Sequence, residues 1–104
     1  MITDYKADIK KYNEIIKQNP DDPKAYYNRG LSKHYLGDYK GAIKDVSKAI
    51  NLDPTYADSF NNRGVAKYKL GDYKGAVEDL NKAKELNPDK AEKINLVLKI
   101  IKNK

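Results

Sequence analysis

The hexapeptide GDYKGA occurs twice in this chain, at residues 37–42 and again at residues 71–76, 34 positions later. Shifting the sequence by the same 34 positions also superimposes the tripeptide NRG at residues 28–30 on the one at residues 62–64. A period of this length is typical of stacked supersecondary units, each of which buries its apolar face only against its neighbours. We therefore predict that the chain is built from stacked repeats.

Each unit is predicted to contain two helices joined by a glycine turn. Gly37 and Gly71 are expected to end the first helices in a left-handed turn, and Asp38 and Asp72 to cap the second helices. Apolar residues then recur at i, i+3, i+4 and i+7, which predicts one buried face on each second helix. These faces comprise Tyr39, Ala42, Ile43, Val46, Ala49 and Ile50 in one unit and Tyr73, Ala76, Val77, Leu80 and Ala83 in the next.

Proline pairs and arginines repeat with the same period. Proline suits the first turn of a helix, and a preceding Asn or Asp can cap it, so each pair predicts a helix start. These pairs are Asn19-Pro20, Asp53-Pro54 and Asn87-Pro88. Arg29 and Arg63 fall opposite Asp45 and Asp79 when the two helices of a unit are paired about their turn. Two interpretations stay open for each arginine, a salt bridge to the facing aspartate or a solvated side chain.

Several residue types recur together at fixed positions of the 34-residue unit. An aromatic residue, a glycine, two alanines and a closing proline appear in that order. They are Tyr26, Gly30, Ala42, Ala49 and Pro54 in one unit, and Phe60, Gly64, Ala76, Ala83 and Pro88 in the next. In this combination the chain resembles the tetratricopeptide repeat family, whose unit is a helix-turn-helix. The resemblance covers residues 23–90 fully and both ends in part.

The two ends depart from the family pattern. Near the N-terminus the segment matches only a second helix, and Asp8 and Ile15 replace the small residues. Near the C-terminus the segment matches a first helix, but Leu98 replaces the glycine. The resemblance implies an all-α fold, a right-handed superhelical stack of antiparallel helix pairs with about six helices in a single domain over residues 1–104. Its predicted parts are a half repeat or cap helix at 3–22, repeats at 23–56 and 57–90, and a C-terminal helix at 91–104.

Composition argues against most alternatives to a binding module. The chain has no cysteine and a single histidine, His34, so we expect no metal site, no cofactor and no enzymatic activity. The net charge of +6 comes from lysines spread among carboxylates, and we do not expect a nucleic-acid partner. No apolar run approaches a membrane span of about 20 residues, and no signal sequence is recognisable, so no membrane contact and a cytoplasmic location are expected.

The resemblance implies a concave groove, lined by the first helices, that holds an extended peptide or a partner's helix. Carried over by alignment, the candidate groove residues are Lys24, Tyr27, Asn28, Leu31, His34, Tyr35, Asp58, Asn61, Asn62, Val65, Tyr68 and Lys69, with Asn95 and Lys99 as an extension. The alternative is that these residues only form a solvated face. A groove that mixes tyrosine, leucine and valine with asparagine favours peptide binding.

One subtype of the family grips the carboxylate tail of chaperones with lysines, asparagines and an arginine. In this chain only Asn62 matches that clamp. Tyr27, Leu31, Glu92 and Leu96 stand at its other positions. We therefore expect no chaperone carboxylate clamp.

A second hypothesis is self-assembly through the terminal helices. Ile94, Val97, Leu98 and Ile101 form one apolar stripe on the last helix, while Leu96 and Ile100 add apolar surface on another side. Terminal helices of repeat arrays usually have a polar outer face. The alternative function is therefore a scaffold piece that forms a homo-oligomer through its C-terminal helix.

Overall fold

The computed structural model describes residues 3–104, and within that range it contains six α-helices, one short 3-10 helix and no strand. The helices are α1 (Tyr5–Gln18), α2 (Pro23–Tyr35), α3 (Tyr39–Leu52), α4 (Ala57–Lys69), α5 (Tyr73–Leu86) and α6 (Ala91–Lys102), with the 3-10 helix at Pro88–Lys90. They stack into an elongated body of 41 × 27 × 25 Å. The predicted all-α stack of helix pairs is confirmed.

The repeated hexapeptide forms the turn within each helix pair. Gly37 and Gly71 have φ angles of 85° and 86°, in the left-handed region that favours glycine. The Asp38 carboxylate accepts a hydrogen bond of 2.9 Å from the amide of Gly41, and Asp72 caps α5 in the same way. The predicted turns and caps are therefore present in both units.

The second glycine of the hexapeptide leaves room for that cap. A Cβ atom on Gly41 would collide with the carboxylate of Asp38. Glycine inside a helix costs about 1 kcal/mol relative to alanine. An N-cap hydrogen bond is worth a similar amount, so the cap offsets the cost of the glycine.

Glycine also lets the two helices of a pair touch through their backbones. A Cβ on Gly30 of α2 would lie 2.8 Å from Val46 Cγ2 and 3.1 Å from the carbonyl oxygen of Ala42, both on α3. Gly64 of α4 lies almost as close to α5, with Leu80 Cγ at 3.0 Å. A larger residue at either position would force the facing side chain or helix to shift.

A buried ion pair joins the same helices. Arg29 donates to Asp45 through Nε at 2.8 Å and through Nη2 at 2.7 Å, and Lys33 Nζ lies 3.0 Å from the same carboxylate. Asp45 is only 3% exposed, although the sequence pattern assigned just apolar residues to this face. The second unit repeats the arrangement around Asp79. Of the two interpretations left open for the arginines, the salt bridge is the one observed.

Two of the three Asn-Pro or Asp-Pro pairs, predicted to start helices, do not begin one. Asn19 ends α1, and α2 begins at Pro23, where the Asp22 carboxylate accepts from the amide of Lys24 at 3.0 Å. Asp53 accepts from the amide of Thr55, which makes a local turn before α4 begins at Ala57. At these two joints the pair therefore lies in the connection between two helices. The prediction holds for the third pair, because the Asn87 side chain caps the 3-10 helix.

The core runs through the second helices into α6. Val46, Ile50, Phe60, Ala76, Leu80, Ala83, Ile94 and Ile101 form one buried cluster. Tyr73, predicted to be buried, is 40% exposed, because it lies in the first turn of α5, beyond this cluster. On α6, Ile94 and Ile101 are buried, while Leu96 and Ile100 are 62% and 53% exposed. The two apolar sides predicted for this helix are therefore both present.

Replacing Gly30 with alanine should lower the free energy of unfolding. Forcing a methyl group against Val46 and the carbonyl of Ala42 costs about 1–3 kcal/mol, which should exceed the gain in helix propensity of about 1 kcal/mol. Urea unfolding followed by circular dichroism measures the difference. Lys44→Ala, an exposed change on α3, serves as the control and should leave stability within about 0.5 kcal/mol of the native chain. A Gly30→Ala variant as stable as this control would contradict the close backbone contact.

Candidate functional site

The first helices α2, α4 and α6 lie side by side with the same direction. Near the start of α4, Asp58 accepts a hydrogen bond of 2.6 Å from Lys90, which immediately precedes α6. Near the end of α4, the ammonium of Lys104 lies 5.9 Å from the centre of the Tyr68 ring. Between α2 and α4, the rings of Tyr27 and Tyr56 meet edge to face at 5.2 Å. These contacts define the candidate groove as the surface shared by the three helices.

All the predicted groove residues retain solvent exposure. The partly buried ones are Tyr27, Asn28, Leu31 and His34 on α2 and Asp58, Asn61, Asn62, Val65 and Tyr68 on α4. The exposed ones are Lys24, Tyr35, Lys69, Asn95 and Lys99. Whether they contact a peptide stays a prediction.

Two of these residues are engaged with other helices. The ring of Tyr35 stacks on Tyr5 of α1, with 5.1 Å between the ring centres. Asn95 accepts a hydrogen bond of 3.0 Å from Lys84 of α5. Tyr35 and Asn95 therefore lie at the margins of the set, towards α1 and α5.

A pocket of about 360 Å³ opens between the starts of α2 and α4. Three predicted groove residues line it, Lys24, Tyr27 and Asn28. The other lining residues were not predicted from the sequence, and they are Pro23, Ala49, Asp53, Tyr56 and Ser59. Asp53 and Tyr56 belong to the connection between units, and the repeated proline joint there was the available signal.

The tyrosines of the pocket resist ionisation. Burial raises the pKa of Tyr27 to about 12, with a further contribution from the carboxylate of Asp58. Burial and the same carboxylate also raise the pKa of Tyr56. Hydrogen bonds from Thr55 lower the pKa of Asp53. At neutral pH the pocket therefore contains neutral phenols beside an ionised carboxylate.

Two buried polar atoms of the predicted set lack hydrogen-bond partners within residues 3–104. They are Nδ1 of His34 and Nδ2 of Asn62. Asn62 is nevertheless close enough to the Tyr27 hydroxyl for a hydrogen bond that lowers the pKa of Tyr27, against the larger effect of burial. Burial and the positive charge of Lys69 lower the pKa of His34, which keeps its imidazole neutral at neutral pH. A buried polar group without a partner costs about 1–3 kcal/mol.

No group of three or more His, Asp or Glu side chains in residues 3–104 is arranged to hold a metal ion. None of the helices in that range combines the length and apolar character needed to cross a bilayer.

Comparison with protein families gives three matches along the chain. Models described as tetratricopeptide repeat match residues 11–44 and 57–90, and a model described as TPR repeat matches residues 30–71. Together the three matches extend over residues 11–90. No curated protein sequence matches the chain.

Solved structures with the same fold include two domains bound to a peptide and one in a pHsp70 complex. The first TPR of Spaghetti (RPAP3), bound to the HSP90 peptide SRMEEVD, superposes with a TM-score of 0.91 at 25% identity, over 95% of this chain and 78% of that one. The second TPR domain of human RPAP3, in complex with the HSP70 peptide SGPTIEEVD, gives 0.89 at 29% identity, over 96% and 82%. The TPR2B domain of yeast Sti1, in a pHsp70 complex, gives 0.86 at 27% identity, over 91% and 80%.

Stability should fall between pH 10 and pH 12 because of Tyr27. Its pKa is about 12 in the folded chain and 10.0 for an unburied tyrosine, so the folded state keeps a proton that the unfolded state loses. The stabilisation is complete below pH 10 and decreases as the pH rises towards 12. Tyr27→Phe should remove this part of the decline, as measured by urea unfolding at pH 9 and pH 11.5.

The control for this measurement is Tyr35→Phe, because Tyr35 is 58% exposed. This variant should lose stability with pH as the native chain does. Equal slopes for the native chain and Tyr27→Phe would contradict the burial of the Tyr27 hydroxyl.

Proposed function

The chain belongs to the tetratricopeptide repeat family, and from that premise we propose that it is a protein-interaction module that binds an extended peptide or a partner helix. The proposed binding surface is the groove along α2, α4 and α6. The comparable domains of RPAP3 are bound to an HSP90 peptide and an HSP70 peptide, and that of Sti1 is in a pHsp70 complex, which supports a peptide ligand here. We propose no catalytic role for this chain.

The observation that carries the proposal is the mixed polar and apolar surface along α2 and α4. Asn61 and Asn62 lie on α4 and keep part of their surface exposed, and an asparagine side chain can both donate to and accept from a peptide backbone. Leu31 on α2 and Val65 on α4 are also partly exposed, so they are available for apolar contact with the same peptide.

The ligand is proposed to differ from the chaperone tails bound by similar structures. Tyr27 and Leu31 occupy clamp positions where the resemblance implies a lysine and an asparagine. Glu92 and Leu96 occupy those of a lysine and an arginine, so two cations that would face a terminal carboxylate are replaced by an acid and an apolar residue. Repulsion from Glu92 and the loss of the cations should disfavour such a tail.

A random-heptapeptide display library tests the groove. We expect the native chain to enrich related peptides, and the double variant Leu31→Ala, Val65→Ala to bind them about 10-fold more weakly, because truncating central apolar contacts costs 1 kcal/mol or more. Fluorescence anisotropy with labelled copies of the enriched peptides measures the affinities. Labelled SRMEEVD should bind the native chain more weakly than the enriched peptides.

Two controls accompany this comparison. The double variant must retain the helical circular dichroism of the native chain. Glu78→Gln changes an exposed residue of α5, outside the groove, and should bind as the native chain does. No enrichment by the native chain, or equal affinity for the double variant, would reject the groove as a peptide site.

A second candidate function is assembly through α6, and the observation that favours it is the exposed pair Leu96 and Ile100. The repeat position of Ile100 is occupied by Ser32 on α2 and Ala66 on α4, which are 6% and 1% exposed. That position is therefore buried on both helices that are followed by another unit. A second copy of the chain would cover the apolar surface on α6 in the same way.

Sedimentation velocity over a concentration range tests this alternative. We expect the native chain to associate as its concentration rises, and Ile100→Glu to stay monomeric, because a charge in an apolar contact is costly to desolvate. Leu36→Glu is the matched control, since Leu36 is an equally apolar residue that is 44% exposed at the end of α2. A native chain that stays monomeric and folded throughout would exclude assembly through this helix.

A further inference from the structure

The pocket between the starts of α2 and α4 has aromatic walls. Tyr27 and Tyr56 meet edge to face at 5.2 Å, and Pro23 and Ala49 complete the apolar lining. Its volume of about 360 Å³ lies at the small end of ligand pockets and gives room for one long side chain. The face of a tyrosine ring carries negative charge density and attracts cations.

A fixed carboxylate lies in the lining of this pocket. Oδ1 of Asp53 accepts two hydrogen bonds from Thr55, from its amide at 3.1 Å and from its hydroxyl at 2.6 Å. These bonds orient the carboxylate and lower its pKa, so it stays ionised. Within residues 3–104 no cation forms a salt bridge with Asp53, and Oδ2 takes part in neither bond to Thr55.

The surroundings add a second carboxylate and one competing cation. Asp58 helps to raise the pKa of both Tyr27 and Tyr56, because its negative charge disfavours a second negative charge on either phenol. Its charge is offset by Lys90 at 2.6 Å. Lys24 also lines the pocket, but its ammonium sits on a flexible chain, while Asp53 is held by its turn.

We propose that this pocket receives a basic side chain, arginine or lysine, of the bound peptide. Its charged group would meet the free oxygen of Asp53, and its aliphatic stem would pack against Tyr27 and Tyr56. This inference rests on the proposed function, because it names the chemistry of one residue in the peptide that the groove holds. It also sets the position of that residue, at the end of the groove where α2 and α4 begin.

Peptides enriched from the heptapeptide library by the native chain provide the probe. We expect them to share an arginine or lysine at one position. Replacing that arginine with citrulline, or that lysine with norleucine, keeps the approximate shape and removes the charge. The replacement should weaken binding about 10-fold, the usual effect of losing a hydrogen bond between charged groups.

Two variants with opposite expected effects locate the charge. Asp53→Asn keeps an oxygen that can accept from Thr55 but removes the negative charge, and should weaken the basic peptide about 10-fold. Lys24→Gln removes the competing cation and should tighten binding about 3-fold. If the bound side chain were acidic, Asp53→Asn would tighten binding and Lys24→Gln would weaken it. Glu78→Gln also removes one negative charge, from an exposed site on α5, and should leave the affinity for the peptide unchanged.

The double-mutant cycle excludes an indirect effect of Asp53. In the Asp53→Asn variant the citrulline or norleucine replacement should have little further effect, because the charge it removes has already lost its partner. Equal losses in the native chain and the variant would overturn the proposal.

The remaining outcomes separate this inference from the function on which it rests. Enriched peptides that need Leu31 and Val65 but share no basic residue would leave the groove as a binding site and reject the basic pocket. Enriched peptides that share an acidic residue and bind less well to Lys24→Gln would also reject the basic pocket. If no peptide is enriched at all, the proposed function and this inference fail together.

Discussion

The direct contact between helix backbones within each unit is the constraint on which the rest of the structure depends. Gly30 and Gly64 lie so close to the facing helix that a methyl group would enter the space of Val46 or Leu80. This short separation lets one alanine-rich helix face bury itself completely. Buried residues of α3 and α4, among them Val46, Ile50 and Phe60, then join one unit to the next.

The buried carboxylates then fix how each pair of helices is aligned. Asp45 lies on α3, while both of its cations, Arg29 and Lys33, lie on α2. A buried charge is costly unless it is paired, so sliding one helix along the other would leave that carboxylate without its partners. Bidentate geometry from arginine adds directional specificity to the pairing. The repetition of this arrangement at Asp79 gives both units the same alignment.

This rigid arrangement allows polar groups of the groove to stay unsatisfied. His34 and Asn62 keep buried atoms without partners, and their cost is tolerated because the surrounding helices are held by other contacts. The same framework holds Tyr27 and Tyr56 together across two units, with Asp53 on the connection between them. The candidate site is therefore a property of stacking, since no single helix contains its parts.

The sequence by itself determined the helix pairs, their turns, the caps at Asp38 and Asp72, and the two apolar sides of α6, because these depend on local spacing and on residues with strong conformational preferences. It did not determine that Asp45 would be buried, since an aspartate on an apolar face is interpretable only when its partners on another helix are in place. The proline pairs at 19–20 and 53–54 did not mark the starts of α2 and α4, because a turn forms at each pair before the helix begins. Only the tertiary structure decided that residues from a helix and from a connection would form one pocket, because stacking of successive units brings together Tyr27 and Asp53, which lie far apart in the chain.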